Sequence, residues 1–252
     1  MTQAVSFNPG QYSYIPGGFQ YCASVVAHQG YMLERARLPQ VVPLPEGFER
    51  IRTHLESIGR PLTALAACEL RSPAQMSEPD FIAFNRRYVK TLEAWGLFKD
   101  DVNPVARCNL APAIAPPSEA CLYAFTYTVP ARTTLKRPDF LTSGAAECPD
   151  RPGYRDAITR LGETTPDALA DKLRFALGDL EARLAPMQVQ WRDVMAMNLY
   201  TVHDLHHVLA SELIERGAMH GGITTHWVRP PVLDIEIEID ARRVSSEILL
   251  RY

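Results

Sequence analysis

The chain has 252 residues, 46% of them hydrophobic and 22% charged, so it can bury a core in one large or two modest domains. Its formal net charge of −3 provides no basic surface for a nucleic-acid backbone, which argues against nucleic acid as a partner. Five cysteines without a C-x-x-C pair, no signal-like start and no apolar run of about 20 residues favour a cytoplasmic protein that does not enter a membrane.

The first half of the chain alternates strand and helix patterns. Phe48, Ile51, Leu55 and Ile58 recur at spacings of three and four, which is typical of an amphipathic helix. The spacings and the Gly and Pro positions predict an irregular arm (1–20), a hairpin (19–26 and 30–36), a helix (46–59), a strand (62–70), a helix (79–95), a loop or extended segment (112–117) and a strand (120–129). Arg107 is expected in a loop between the second helix and the last strand.

The second half repeats this order after a proline-containing bridge over residues 130–138. We expect a strand with a small-residue turn (139–144), a helix (166–184), a strand with a possible bulge (189–202), a helix (203–216) and a strand (232–241). The last segment, VLDIEIEIDA, alternates apolar and acidic residues, which is typical of a strand with one buried and one wet face.

Two stretches of the sequence, residues 48–72 and 167–204, are weak copies of one another. Each runs from a helical pattern into an apolar segment, and each is followed by a second short helix and a late strand. A period near half the chain length predicts two similar units, 1–130 and 131–252, each too small to bury its sheet face alone. We therefore predict an α+β protein of two units, each a mixed sheet with two helices packed on one face.

Four short motifs resemble the Rid/YjgF family of enamine and imine deaminases. They are NPVARCN (103–109), FIAFNRRY (81–88), FLTSG (140–144) and IEIEIDA (235–241). The family resemblance implies units of this fold that assemble as trimers with sites between subunits. It also implies a cofactor-independent hydrolase that acts on C=N bonds, because the substrate itself carries the electrophilic carbon.

By this resemblance a small-molecule carboxylate substrate is expected, and the candidate site residues follow. Arg107 is the expected carboxylate anchor, since arginine can form two parallel charge-assisted hydrogen bonds. Glu238 or Glu236 is the expected water-orienting carboxylate. The candidate substrate-binding residues are Asn85, Tyr88, Asn109, Tyr123 and Arg35.

Each half departs from the family pattern. The first unit has Leu33, Glu34 and Arg35 where Ser-Gly-Gln is expected, and the second has GITTHW (222–227) where the arginine is expected. We therefore expect the first unit to carry the reactive pocket and the second to supply an interface and a carboxylate. A second arginine at Arg35 would suit a dicarboxylate such as 2-aminomuconate or a chlorinated analogue. Because Arg35 alternates along a predicted strand with Glu34 and Ala36, an exposed cross-strand ion pair is at least as strong an alternative.

Other functions remain open from the sequence. His203, His206, His207, His220 and His226 lie within 24 residues, and a pair four apart on a helix could hold a metal for a hydrolase or lyase. Ordinary surface histidines and no metal site are the preferred interpretation. A chorismatase-like reaction on a cyclic dicarboxylate and a non-catalytic ligand-binding role are further alternatives.

Overall fold

The computed structural model describes residues 3–218 and 221–251. In chain order the first elements are β1 (Val5–Phe7), β2 (Tyr12–Ile15), β3 (Ser24–Ala27), β4 (Tyr31–Pro43), α1 (Leu44–Ser57), β5 (Leu65–Arg71), α2 (Glu78–Ala94), β6 (Ala106–Pro112) and β7 (Cys121–Pro130). They are followed by β8 (Phe140–Thr142), β9 (Ala145–Ala146), α3 (Tyr154–Ala157), α4 (Pro166–Leu184), β10 (Ala196–Thr201), α5 (His206–Arg216), β11 (Thr224–Arg229), β12 (Glu238–Arg243) and β13 (Ser246–Leu249).

The strands form one continuous mixed sheet in which the same pairing pattern occurs twice. In the first half β5 runs parallel to β6 and antiparallel to β7, and β7 is antiparallel to β4. In the second half β10 runs parallel to β11 and antiparallel to β12, and β12 is antiparallel to β8 and β9. The predicted α+β class with two similar units is confirmed.

Three strand pairs join the two halves. β6 pairs antiparallel with β11, β3 from the first half pairs with β8 from the second, and β13 at the end of the chain returns to pair with β4. Because backbone hydrogen bonds of these strand pairs cross between the halves, neither half completes its sheet without the other.

Each half has its own hydrophobic cluster under its two helices. Phe48 and Ile51 of α1 and Phe84 and Tyr88 of α2 share one cluster with β5 and β7. The helices α4 and α5 share the other cluster with β10 and β12. Phe48, Ile51 and Leu55 of the predicted apolar stripe are buried by α1, whereas Ile58 follows the end of the helix and is exposed.

The long helices agree with the sequence patterns, but several strands do not. The predicted hairpin is wrong, because β3 pairs with β2 and β8 instead of β4. The strand predicted over 189–202 is confined to β10, with a 3-10 turn at Trp191–Asp193 before it. Strands β1, β2, β6, β11 and β13 were not predicted, and Arg107 lies within β6 and not in a loop.

The acidic strand begins at Glu238 and not at residue 232, because a buried side chain binds the two backbone N–H groups before it. The Glu147 carboxylate accepts hydrogen bonds from the backbone N–H groups of Glu236, at 2.6 Å, and Ile237, at 2.9 Å. Burial raises the pKa of Glu147, and the fully buried Lys172 of α4 opposes this by an ion pair at 3.3 Å. A side chain therefore takes the place of a neighbouring strand for these two residues.

No helix within residues 3–218 and 221–251 has both the length and the apolar character needed to cross a membrane.

Lys172→Met is expected to lower the free energy of unfolding by about 3–5 kcal/mol, because it leaves the buried Glu147 charge without its cation. Urea unfolding monitored by circular dichroism measures this change. The matched control is Lys90→Met on the exposed face of α2, which should change the free energy of unfolding by less than about 0.5 kcal/mol. Equal effects of the two substitutions would contradict a stabilising role for the buried pair.

Candidate active site

Arg107 is a buried arginine whose hydrogen-bonding capacity is mostly unused. Its side chain projects from β6 towards α2, and the residue is only 3% exposed. Nη1 donates to Asn85 Oδ1 at 2.5 Å, but Nε and Nη2 have no hydrogen-bond partner among the described residues. Unpaired buried donors are unfavourable, and the two free N–H groups match the geometry of one carboxylate.

Aromatic rings hold the guanidinium of Arg107 in place. Its carbon atom lies 5.1 Å from the ring centre of Tyr21 and 4.9 Å from that of Tyr88, with Phe81 and Phe84 at 5.5 and 5.8 Å. Cation–π contacts of this kind compensate part of the cost of burial. They leave the donor edge of the guanidinium free for a ligand.

The second unit closes the site with the turn at Ser143–Gly144. The backbone N–H of Arg107 donates to Ser143 Oγ at 2.9 Å, and Gly144 N–H approaches the Arg107 carbonyl at 3.4 Å. A Cβ atom at Gly144 would lie 1.8 Å from Glu238 Oε1, so only glycine allows this approach. Arg183 of α4 fixes the turn by donating to the carbonyls of Ser143 and Gly144 at 3.3 and 3.0 Å.

Glu238, the first residue of β12, brings a buried carboxyl group next to the Ser143–Gly144 turn and to Cys108, the residue after Arg107 in β6. Burial raises its pKa to about 8, although the Cys108 thiol donates to Oε1 at 3.4 Å and opposes this. The charge of Asp240 also raises the pKa, whereas Arg183 and Arg107 lower it. A carboxyl group with this pKa can both donate and accept a proton near neutral pH.

A cavity of about 270 Å³ is lined by Phe81 and Asn85 of α2. Its walls come from α2, from the segment before β3 and from the segment before α3, and they include Gln20, Asp150 and Tyr154. The cavity is large enough for a small organic acid, and Asn85 is its link to Arg107.

Arg35 does not join this site. Side chains alternate along a strand, and Arg35 and Glu69 point away from the face on which Arg107 meets α2. Arg35 forms a two-point ion pair with Glu69 at 2.5 and 2.7 Å. Although burial opposes ionisation, Arg35 lowers the pKa of Glu69 to about 2. The alternative of an exposed cross-strand ion pair is wrong in its exposure, because Arg35 is only 6% exposed where it pairs with Glu69.

The remaining predicted site residues divide between the two faces of the sheet. Asn109 lies two residues beyond Arg107 and accepts from Ser72 Oγ at 2.9 Å. Tyr123 instead stacks on Arg71, with 4.2 Å from the guanidinium carbon to the ring centre. The Glu236 carboxylate is already engaged by His203, at 2.7 Å, and by Arg229, at 3.0 Å.

The histidines that suggested a metal site have separate partners. His206 contacts Asp204, His207 contacts the Pro166 carbonyl and His226 contacts Asn198, while His203 is bound to Glu236. His220 lies outside the described residues. Within the described part of the chain, no three histidine, cysteine or acidic side chains are grouped so that they could hold a metal ion.

Sequence reasoning missed three side chains near the site: Tyr21, Asp150 and Arg183. Tyr21 and Asp150 belong to irregular segments, which have no periodicity to reveal them. Arg183 lies at the end of a correctly predicted helix, but nothing in the helical pattern indicates that it bonds to the turn at Ser143–Gly144. The FLTSG motif was the one sequence signal for that turn.

The raised pKa of Glu238 predicts a specific dependence of stability on pH. Between the ordinary glutamate pKa of 4.5 and about 8, the unfolded chain releases a proton that the folded protein keeps. The free energy of unfolding should therefore fall as pH rises, by up to about 1.4 kcal/mol per pH unit from this group. Glu238→Gln should remove this slope, as measured by urea unfolding from about pH 5 to about pH 8. The exposed Glu215→Gln is the control, and an unchanged slope in Glu238→Gln would contradict the assignment.

A family model and a known relative match almost the whole chain. The family model described as 2-aminomuconate deaminase CnbZ matches residues 4–248. A 2-amino-5-chloromuconate deaminase from Comamonas testosteroni is 43% identical over 253 residues, covering 99% of this chain and 100% of the relative. Among solved structures, a chorismatase is 13% identical with a TM-score of 0.46, covering 96% of this chain and 79% of that one. The YjgF gene product of E. coli is 18% identical with a TM-score of 0.32, covering 54% of this chain and 93% of that one. On the family model and the 43% identical relative, the chain belongs to the CnbZ family of 2-aminomuconate deaminases.

Proposed function

We propose that this protein is a cofactor-independent deaminase that hydrolyses a carboxylate-bearing enamine or imine to a 2-oxo acid and ammonia. The observation that carries the proposal is that two buried groups, Arg107 and Glu238, both flank the Ser143–Gly144 turn. Arg107 offers two unused donors to an anion, and Glu238 offers a carboxyl group that exchanges protons near neutral pH. The first side chain comes from the first unit and the second from the second unit.

Arg107 has the role of substrate anchor in this proposal. A bidentate contact to the carboxylate next to the reacting carbon would satisfy both buried donors and fix the orientation of the substrate. Asn85 Oδ1 accepts a hydrogen bond from Nη1 of the guanidinium. The amide Nδ2 of Asn85 is without a partner among the described residues. Tyr88 and Asn109 lie on the same side of β6 as Arg107 and are assigned to the wall of the site.

Glu238 has the role of proton shuttle. In its protonated form it gives a proton to the enamine carbon, which produces an iminium ion and a carboxylate. Water then bonds to the iminium carbon while its proton passes to Glu238. The carboxyl group next protonates the nitrogen, the C–N bond breaks, and the hydroxyl proton returns to Glu238 as ammonia leaves. We assign this role to Glu238 and not to Glu236, because the Glu236 carboxylate is engaged by His203 and Arg229.

The proposed substrates are 2-aminomuconate and its 5-chloro analogue. The support is the family description and the relative from Comamonas testosteroni, whose names specify these acids. We do not place the second carboxylate at Arg35, since Glu69 satisfies that side chain.

We further propose that residues 1–130 and 131–252 are the two units, that the chain forms a homotrimer and that it works in the cytoplasm. The repeated strand pairing supports the division. The resemblance to trimeric Rid proteins supports the assembly. Five free and buried cysteines are compatible with a reducing compartment.

Arg107→Lys is expected to reduce kcat/KM for 2-aminomuconate by about 100-fold, because a lysine keeps the charge but loses the two-point contact and its alignment. Ammonia release, measured against the rate in buffer alone, tests this. Arg160→Lys is the matched control, since Arg160 is exposed and pairs with Glu163 and Asp171. No acceleration by the wild-type protein would refute the proposed function.

The assignment of Glu238 predicts a pH profile. Because the cycle starts from the protonated carboxyl group, kcat/KM should fall about tenfold per pH unit above about pH 8. Glu238→Gln should lower kcat by about 10²–10⁴-fold and abolish this decline. Initial rates from about pH 7 to about pH 10 measure both effects. A variant that keeps the wild-type profile would show that another group controls it.

A further inference from the structure

Asp150 is a half-buried carboxylate that receives only neutral donors. Its Oδ1 atom accepts from Tyr21 Oη at 3.1 Å, from Tyr154 Oη at 3.1 Å and from Gln20 Nε2 at 3.3 Å. Among the described residues, no lysine, arginine or histidine lies within ion-pair distance of it. The nearby Arg183 pairs with Asp179 instead. Asp150 therefore has fixed geometry and a negative charge that no direct contact neutralises.

Asp150 and Arg107, the proposed substrate anchor, contact the same side chain. The Tyr21 ring that donates to Asp150 also covers the guanidinium of Arg107, with 5.1 Å between the ring centre and the guanidinium carbon. Asp150 lines the cavity of about 270 Å³ beside Asn85, and it also lines a second cavity of about 900 Å³ beside Arg183. Asp150 thus lines both cavities, and one side chain, Tyr21, separates it from Arg107.

A carboxylate at this position is unfavourable for binding of the substrate in its ground state. The substrate is an anion, and a like charge nearby weakens its binding. The reaction of the proposed function, however, passes through an iminium cation next to the anchored carboxylate. A group that repels the anionic ground state and attracts the developing cation raises kcat and does not merely improve binding.

We propose that Asp150 is a catalytic residue that stabilises the iminium ion through its second carboxylate oxygen. The inference rests on the proposed function, since it needs a reaction with a cationic intermediate on nitrogen. Tyr21, Tyr154 and Gln20 are positioning residues, because they fix Oδ1 and leave Oδ2 without a hydrogen bond to any described side chain. As the enamine carbon takes a proton from Glu238, the positive charge forms on the nitrogen and is met by this oxygen.

Asp150→Asn tests the proposal, because the amide oxygen can still accept from Tyr21, Tyr154 and Gln20 while the charge is removed. We expect kcat for 2-aminomuconate to fall by about 100-fold. At the same time KM should fall severalfold, because the anionic substrate is no longer repelled. A purely structural role would raise KM or leave it unchanged as kcat fell, so the opposite-signed pair of changes is diagnostic.

Asp150→Glu and Tyr154→Phe complete the experiment. The first keeps the charge and should retain more activity than Asp150→Asn, and the second removes one hydrogen bond and should change kcat by less than about tenfold. Equal losses in Asp150→Asn and Asp150→Glu, or an unchanged kcat in Asp150→Asn, would overturn the proposal. Circular dichroism of each variant establishes that it is folded. If the wild-type protein releases ammonia, these outcomes affect Asp150 alone, whereas an inactive wild-type protein contradicts the proposed function itself.

Discussion

The burial of the Arg107 guanidinium is the constraint on which the site depends. A charged group removed from water is costly unless it is paired or hydrogen-bonded, yet Arg107 has one hydrogen bond to a side chain and two unused donors. Four aromatic rings around it supply partial compensation. An anionic ligand can accept hydrogen bonds from the two unused donors. The part of the burial cost that the protein alone does not offset therefore favours substrate binding.

The two halves of the chain are complementary at this site. The first half keeps the arginine and its supporting helix, and the second half keeps the Ser143–Gly144 turn and the acidic strand. The pairing of β6 with β11 and of β3 with β8 brings these parts together within one chain. Duplication thus allows each half to lose residues that the other supplies, because only one composite site has to remain complete.

Buried polar contacts outside the site determine where its carboxyl group lies. Glu147, held by Lys172, binds the backbone immediately before Glu238. Arg183 holds the carbonyl groups of the turn that touches the same carboxylate. These contacts fix Glu238 beside Gly144 without satisfying its charge, and the resulting desolvation is the main reason why its pKa is raised. The buried contacts of Glu147 and Arg183 therefore position the carboxyl group of Glu238.

The sequence by itself determined the long helices and the two-unit organisation and predicted Arg107 as the anchor, because apolar spacing, capping residues and short motifs are local properties. It could not reveal β6 and β11, whose strand character comes from pairing with β5 and β10 and with each other, and it placed Arg107 in a loop. It also could not separate Arg35 from Arg107, since the face of the sheet on which a side chain lies depends on strand register and not on residue type. Only the tertiary structure distinguished Glu236 from Glu238, because His203 and Arg229 engage the carboxylate of Glu236, whereas Glu238 is buried next to the Ser143–Gly144 turn, where its pKa is raised.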